Sequence, residues 1–383
     1  KSYEKAIAIN PNFAEAHNNL GNVLRDLDRL DDAVKSYEKA IAINPNFAEA
    51  HNNLGVNLKI LRKLDEAVIS FENAIDINPY YHEAHNNLGI TFSELGKILA
   101  AIECYEKAIA IKPDYAYAHN NLGNVFKEIR KRKAAVKCYE NAIDIKPDYA
   151  VAHGNLGNVL RNLKQRDKAL ISYIRAYKIK PDMDFIFGDV LNTKMHLCFW
   201  DDLPSQLKLL KNKINNNEKV IAPFNLLGLI DDPGLQGKAS KIYANEEFPK
   251  NDSLPSIGLY PKHKKIRVGY FSGDFRIHPV ATLTAELYEM HDRGKFEIHA
   301  FSFGPDTKDE MNLRIKEGVD HFHDVRLMSH KETVMLARSF EIDIAVDLVG
   351  LTINSRTGIF AMSVAPIQAS YIGYLGTMGA NYY

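Results

Sequence analysis

The sequence predicts an α-helical solenoid followed by an α/β lobe with a parallel sheet. Two observations carry this. Pro11, Pro45, Pro79, Pro113, Pro147 and Pro181 stand 34 residues apart without a slip. A fixed period of that length marks stacked helical hairpins. From Lys264 onward, short apolar runs alternate with segments of helical periodicity. Strands and helices in that order build a parallel sheet.

The repeat is defined by more than proline. Leu20, Leu54, Leu88, Leu122 and Leu156 each precede a glycine: Gly21, Gly55, Gly89, Gly123 and Gly157. Ala33, Ala67, Ala101, Ala135 and Ala169 follow, then the aromatics Tyr37, Phe71, Tyr105, Tyr139 and Tyr173, then Ala40, Ala74, Ala108, Ala142 and Ala176. Small residues on both helices allow close backbone approach, and Leu and the aromatic fill the space beside the crossing. The stretch 31–43 has apolar residues at helical spacing, and Asn44-Pro45 ends it, because a residue before proline is driven out of the helical region. The pattern resembles the tetratricopeptide repeat at nearly every signature position. One hairpin cannot bury its own apolar face, so neighbours must stack.

Two polar columns accompany it. His17, His51, His85, His119 and His153 fall one per repeat, separated by a whole hairpin, roughly 10 Å. Metal bonds of about 2 Å cannot span that, so these histidines are read as structural. Asn19, Asn53, Asn87, Asn121 and Asn155 fill a mid-helix slot that asparagine disfavours. A carboxamide both donates and accepts, as gripping a peptide backbone requires. The competing reading is a solvated polar face copied by duplication, since residues 1–21 and 35–55 are identical.

Lys+Arg and Asp+Glu each number 48, so no global charge favours nucleic acid or a membrane surface as partner. The basic run 127–133 falls at a predicted hairpin turn and reads as solvated. Three cysteines without framework or metal spacing suit a reducing, cytoplasmic setting. No apolar run reaches membrane-span length and no signal peptide is visible. The first ten residues match 35–44, so the chain is expected to start inside a repeat's second helix.

Residues 1–198 are read as the repeat superhelix, with 183–198 as its capping helix. Residues 199–263 are read as a connecting region: five prolines lie between 222 and 262, with Pro204 upstream and an amphipathic stretch at 203–214. Residues 264–383 form the lobe, with strands expected at 266–271, 296–303, 343–349 and 367–372 and helices at 281–290, 332–340 and 355–362. Ligands of such sheets sit beyond the strands' carboxyl ends. There the sequence carries Ser272–Pro279, Gly350–Thr352 and Gly373–Gly379. Glycine there lets backbone approach a phosphate or sugar.

Residues 267–279 (RVGYFSGDFRIHP), 320–324 (DHFHD), 347–352 (DLVGLT) and 365–379 (APIQASYIGYLGTMG) resemble the first catalytic lobe of the O-linked N-acetylglucosamine transferases and their SPINDLY relatives. These are family 41 glycosyltransferases of the GT-B type, with tetratricopeptide repeats ahead of two Rossmann-like lobes. The resemblance implies an inverting, metal-independent transfer from a nucleotide sugar, without a cofactor, to Ser or Thr of a protein bound by the repeats. UDP-N-acetylglucosamine leads among donors, with O-fucosyl and O-glucosyl transfer as alternatives, and the family allows a homo-oligomer through the repeats. His278 matches an active-site histidine and His321 a second one, with His323 close enough to compete for that role. Pro279, Gly373 and Gly376 match positions near the sugar, and no metal ligand is implied. A neutral histidine could accept the hydroxyl proton during attack on the anomeric carbon.

In the family the nucleotide is held mainly by a second lobe, which does not lie within these residues. The expectation is therefore an incomplete lobe that transfers no sugar by itself, lacking stabilisers for the leaving diphosphate. The alternative is a non-catalytic scaffold whose α/β segment is a remnant.

Overall fold

Each 34-residue period folds as a helical hairpin in the computed structural model, which describes residues 2–352 and 355–383. Lys1 lies outside them. The chain divides into two units, Lys1–Pro181 and Asp182–Tyr383. In the first, helix α1 (Ser2–Ile9) precedes five hairpins: α2 (Ala14–Asp26) with α3 (Leu30–Ile43), α4 (Ala48–Ile60) with α5 (Leu64–Ile77), α6 (His82–Glu94) with α7 (Ile98–Ile111), α8 (Ala116–Glu128) with α9 (Arg132–Ile145), and α10 (Ala150–Asn162) with α11 (Arg166–Ile179). Each second helix ends in an extended residue before its proline, as at Asn44 (φ −129°) and Lys146 (φ −130°). The turn inside each hairpin needs one left-handed residue: Asp28, Arg62, Gly96, Arg130 and Lys164, again 34 apart. Only Gly96 adopts that conformation without a steric penalty.

The glycine and aromatic columns interlock. A Cβ placed on Gly123 would lie 2.7 Å from the Tyr139 ring, and one on Gly157 would lie 2.5 Å from Tyr173. The rings of Tyr37, Phe71, Tyr139 and Tyr173 are wholly buried. The Tyr37, Tyr139 and Tyr173 hydroxyls donate to Asn22, Asn124 and Asn158 at 2.8–2.9 Å. Where Phe71 replaces tyrosine, Val56 replaces that asparagine, so an acceptor with nothing to accept is avoided.

The second unit begins at Asp182, ahead of the expected boundary at 198, and takes in α12 (Ile186–His196). The N–H groups of Phe185 and Gly188 donate to the carbonyls of Lys219 and Val220 at 2.6 and 2.7 Å, and Gly188 lies flush against Ile221. Then come α13 (Leu203–Asn215), α14 (Pro223–Leu227) and α15 (Pro233–Glu247), all inside the stretch expected as a connection. The lobe follows as β1 (Ile266–Ser272), α16 (Pro279–Met290), β2 (Phe296–Ser302), α17 (Glu310–Gly318), β3 (His321–Asp324), α18 (His330–Ser339), β4 (Ile344–Asp347), α19 (Gly358–Ala361) and β5 (Ile367–Ser370). All strand pairs are parallel, in the order β3-β2-β1-β4-β5. One face packs Tyr270, Ile298 and Ala300 against Ala281, Ala285, Tyr288 and Ile315 of α16 and α17. The other packs Phe271, Phe301 and Ala345 against Val334, Ala337 and Phe360 of α18 and α19. This is a helix stack followed by a GT-B-like parallel α/β lobe.

Candidate functional site

The strand order places the topological switch point between β1 and β4, since the chain runs outward to β3 from one side and to β5 from the other. In open parallel sheets the ligand crevice opens there, beyond the carboxyl ends. The β1–α16 loop and the loop following β4 share that end of the sheet.

His278 is the N-cap of α16, and Pro279 is its first residue. The Val280 N–H donates to His278 Nδ1 at 3.3 Å. With Nδ1 accepting, the neutral ring carries its proton on Nε2. The loop is braced from α17. Asp309 caps that helix and accepts the Ile277 N–H at 3.1 Å. The buried Asn312 donates from Nδ2 to the Phe275 carbonyl at 2.6 Å. Asp274 lies 3.8 Å from His278 Nδ1 and pairs with Arg276 at 3.1 Å.

Beside it, Asp347 ends β4 with its carboxylate buried. It accepts the N–H groups of Val349 and Gly350 at 2.9 and 3.0 Å and the Tyr383 hydroxyl at 2.5 Å. Burial pushes its pKa up, opposed by those hydrogen bonds. Sequence reasoning gave Asp347 no role, although it opens the 347–352 motif. Gly350, at φ +60°, turns the chain where any Cβ would strike Tyr374 at 2.5 Å.

Gly373 follows β5 so closely on the β4 loop that a Cβ would lie 1.8 Å from the Leu348 carbonyl oxygen. Gly376 lies under the Tyr374 ring. Gly379 (φ +68°) abuts the backbone of Ser240 and Lys241 in α15, and Tyr374 and Met378 pack with Leu351 against Leu227, Tyr243 and Phe248. Glycine thus serves loop-to-loop and loop-to-helix packing at these positions.

His321 is not brought to His278. It begins β3, in register with His299 of β2, three residues short of the Ser302–Asp324 pair at the carboxyl end. At about 3.3 Å per residue it lies some 10 Å back along the strands. There its Nε2 donates to Glu297 Oε1 at 3.1 Å. His323 faces the same side of the sheet, stacked on Phe301 and His299.

In the repeats, each column histidine donates from Nε2 to the carbonyl of the proline six residues earlier, as His17 to Pro11 (3.1 Å) and His153 to Pro147 (3.0 Å). The column clamps the inter-repeat turn. Burial holds the His85 and His153 rings below the usual histidine pKa. The asparagines form a ladder. Asn53, Asn87, Asn121 and Asn155 donate from Nδ2 to Asn18, Asn52, Asn86 and Asn120 of the preceding repeat at 3.0–3.1 Å. The acceptors are buried and the donors half-exposed. Cys104 and Cys138 are buried thiols, each raised to about 11 by burial. Among the described residues no helix is long and apolar enough to cross a membrane.

Hairpins presenting a polar ladder, followed by a parallel lobe with glycine-rich loops at its switch point, are the architecture of tetratricopeptide repeats joined to a GT-B-like α/β lobe. Residues 252–383 match the model of glycosyl transferase family 41, and tetratricopeptide models match residues 2–35, 21–59, 48–81, 91–129, 116–149 and 150–183. The chain is a repeat protein related to the O-linked N-acetylglucosamine transferase and SPINDLY glycosyltransferases, and it covers part of their catalytic region. It is 32% identical over 208 residues to the probable UDP-N-acetylglucosamine–peptide N-acetylglucosaminyltransferase SEC of Arabidopsis thaliana, covering 50% of this chain and 21% of that one. It is 30% identical over 121 residues to the UDP-N-acetylglucosamine–peptide N-acetylglucosaminyltransferase of Caenorhabditis elegans, covering 31% of this chain and 10% of that one. A solved O-GlcNAc transferase mutant of Thermobaculum terrenum aligns at 24% identity and TM-score 0.46, over 79% of this chain and 52% of that one. The chain thus spans about a fifth of the length of the Arabidopsis relative.

Proposed function

We propose that this chain supplies the repeats and first lobe of a protein O-glycosyltransferase that moves N-acetylglucosamine from a nucleotide sugar to Ser or Thr of a repeat-bound protein. The observation that supports it most is the switch point. The His278 loop and the Gly350–Thr352 loop emerge at one end of adjacent parallel strands, in a lobe that matches family 41.

In this reading His278 is a hydrogen-bond donor to a reacting oxygen, not the base. Its Nδ1 lone pair is committed to the Val280 N–H, which puts the ring proton of the neutral form on Nε2. Pro279 fixes the helix start beneath it, and the Gly373–Gly376 loop sets the wall near the sugar. In the repeats, Asn19, Asn53, Asn87, Asn121 and Asn155 grip the acceptor's backbone. For the last four, one N–H is tied to the previous repeat, which fixes the rotamer and leaves the other N–H for the peptide. An extended peptide advances about 3.3 Å per residue, so roughly three residues span each rung.

The test is to incubate protein expressed from its complete reading frame with acceptor peptides and UDP-N-acetylglucosamine, GDP-fucose or UDP-glucose, reading acceptor mass. An N-acetylhexosamine gain on Ser or Thr supports the reading. A deoxyhexose or hexose gain reassigns the donor, and no gain with any donor overturns it.

A further inference from the structure

Glu297, His299 and His321 converge on one point of the sheet surface, on the face packed by α18. Their ligand-capable atoms all lie within 4.8 Å of one another. Glu297 Oε1 stands 3.2 Å from His299 Nε2 and 3.1 Å from His321 Nε2. An ion held at about 2.0–2.2 Å by nitrogen and oxygen donors needs those donors about 3.0–3.6 Å apart. Both Glu–His separations meet this, and the two imidazole nitrogens, within 4.8 Å of each other, close on the ion by rotation of the exposed His321 ring. The backbone enforces the set. Glu297 and His299 are two apart on β2 and so share a face, and His321 is the direct parallel neighbour of His299.

The surroundings are those of a ligand set. Arg267 Nε approaches Glu297 Oε2 at 3.5 Å, turning Oε1 toward both imidazoles. His299, buried to 1% exposure, has its other ring nitrogen 3.1 Å from His323 Nε2. A hydrogen bond from the outer nitrogen is what orients a metal-bound histidine. His321 remains exposed, so one side is open for water ligands and for entry.

We propose that these three residues bind one divalent transition ion of the zinc, cobalt or nickel class. Two imidazoles and one carboxylate select such ions over magnesium or calcium, which prefer all-oxygen shells. On binding, His299 and His321 present Nε2 lone pairs to the ion and carry their ring protons on Nδ1; His323 then carries its own proton on Nδ1, so that its Nε2 accepts the His299 Nδ1–H. The site lies some 10 Å from the carboxyl ends of the strands, so the ion is structural. It staples β3, an edge strand of four residues, to β2. It would do so whatever reaction the other end of the sheet carries out.

The experiment uses the chelator-stripped 383-residue chain, with zinc chloride titrated by calorimetry and cobalt chloride followed by visible absorption. The expected result is one saturable equivalent, at least tenfold weaker in His321→Ala and in Glu297→Gln, with a zinc-dependent rise in Tm that both variants lose. Circular dichroism checks that the variants are folded, and His278→Asn must bind as wild type does. Absence of saturable binding overturns the site. So does equal stoichiometry and affinity in wild type and both folded variants, which would place the ion on other histidines.

Discussion

Gly123→Ala tests the packing of the solenoid most directly. The added methyl would sit 2.7, 2.9 and 3.0 Å from three carbons of the Tyr139 ring. Carbon atoms rest at about 3.5–4.0 Å, so the ring must retreat by about 0.8 Å. It has nowhere to go: it is wholly buried and its hydroxyl is tied to Asn124 at 2.8 Å. Overpacking of this kind costs about 1–3 kcal/mol, and stretching the hydrogen bond about 1 more. The better helix propensity of alanine returns about 1 kcal/mol. The expected net loss is about 1–3 kcal/mol, read from the urea midpoint of the repeat transition. Gly55→Ala meets Phe71 at the same 2.7 Å without a hydroxyl tether, and should cost about 1 kcal/mol less. Gly228→Ala, with open space around it, should change stability by under about 0.5 kcal/mol. A Gly123→Ala chain as stable as wild type would refute the argument, because ring and methyl cannot share that volume.

The hairpin turns predict the opposite sign: Arg130→Gly should stabilise by about 0.5–1 kcal/mol in urea unfolding by relieving φ +60°, and a loss would show that the Arg130 side chain matters more than its backbone. Asn120→Ala removes the buried acceptor of Asn155 and should cost about 1 kcal/mol, less than an isolated buried donor would, since the half-exposed Asn155 can turn to water; hydrogen exchange in α10 is the finer readout. His278→Asn keeps a good N-cap while deleting the imidazole, so stability should hold within about 0.5 kcal/mol while, in protein expressed from the complete reading frame, kcat falls about 10–100-fold with KM little changed; unchanged kcat would remove His278 from the chemistry. His330 is lowered to about 4 by burial and then by the Arg356 charge. Its folded pKa is below the unfolded value, so its contribution is full above about pH 6.5 and is lost as pH falls from there through about 4. Solvent screening at this half-buried ring leaves about 1–2 kcal/mol, and His330→Gln should flatten the stability profile of the second unit in that window.

The repeats were legible because each signature residue has one physical job. Proline stops a helix, glycine admits a ring, and alanine admits a backbone. The basic run at 127–133 does straddle a turn, with Arg130 at its left-handed residue. The histidine column reads as structural from spacing alone, but its partner, a prolyl carbonyl, is invisible without the turn geometry. The two asparagine columns looked like parallel copies. Their pairing runs from one repeat into the one before, and no within-repeat alignment contains that relation. In the lobe, α15 was hidden by Pro233, counted as loop composition. Asp232 before it accepts the Leu235 N–H at 3.0 Å, and Asp-Pro at a helix start was the signal available. Strand β3 escaped because His-Phe-His-Asp at an edge has no apolar alternation. The strand at 343–349 is shorter than expected, since Asp347 turns its carboxylate back onto Val349 and Gly350 and ends the ladder. His321 illustrates the general limit. A motif tells which strand a residue joins, but only register tells which end of the sheet it occupies.

The loop after β5 rests on a helix made much earlier in the chain. Ser240 Oγ lies 3.3 Å from the Tyr374 hydroxyl, across 134 residues. At roughly 5–20 residues per second of synthesis, α15 emerges about 7–27 s before the segment that covers it. During that interval Tyr243 and Leu227 have no glycine loop to pack on, and the walls of the proposed sugar site cannot form. The repeats, whose partners are near in sequence, can close as they emerge. The repeats, proposed above to hold the acceptor, are therefore folded before the lobe proposed to act on it.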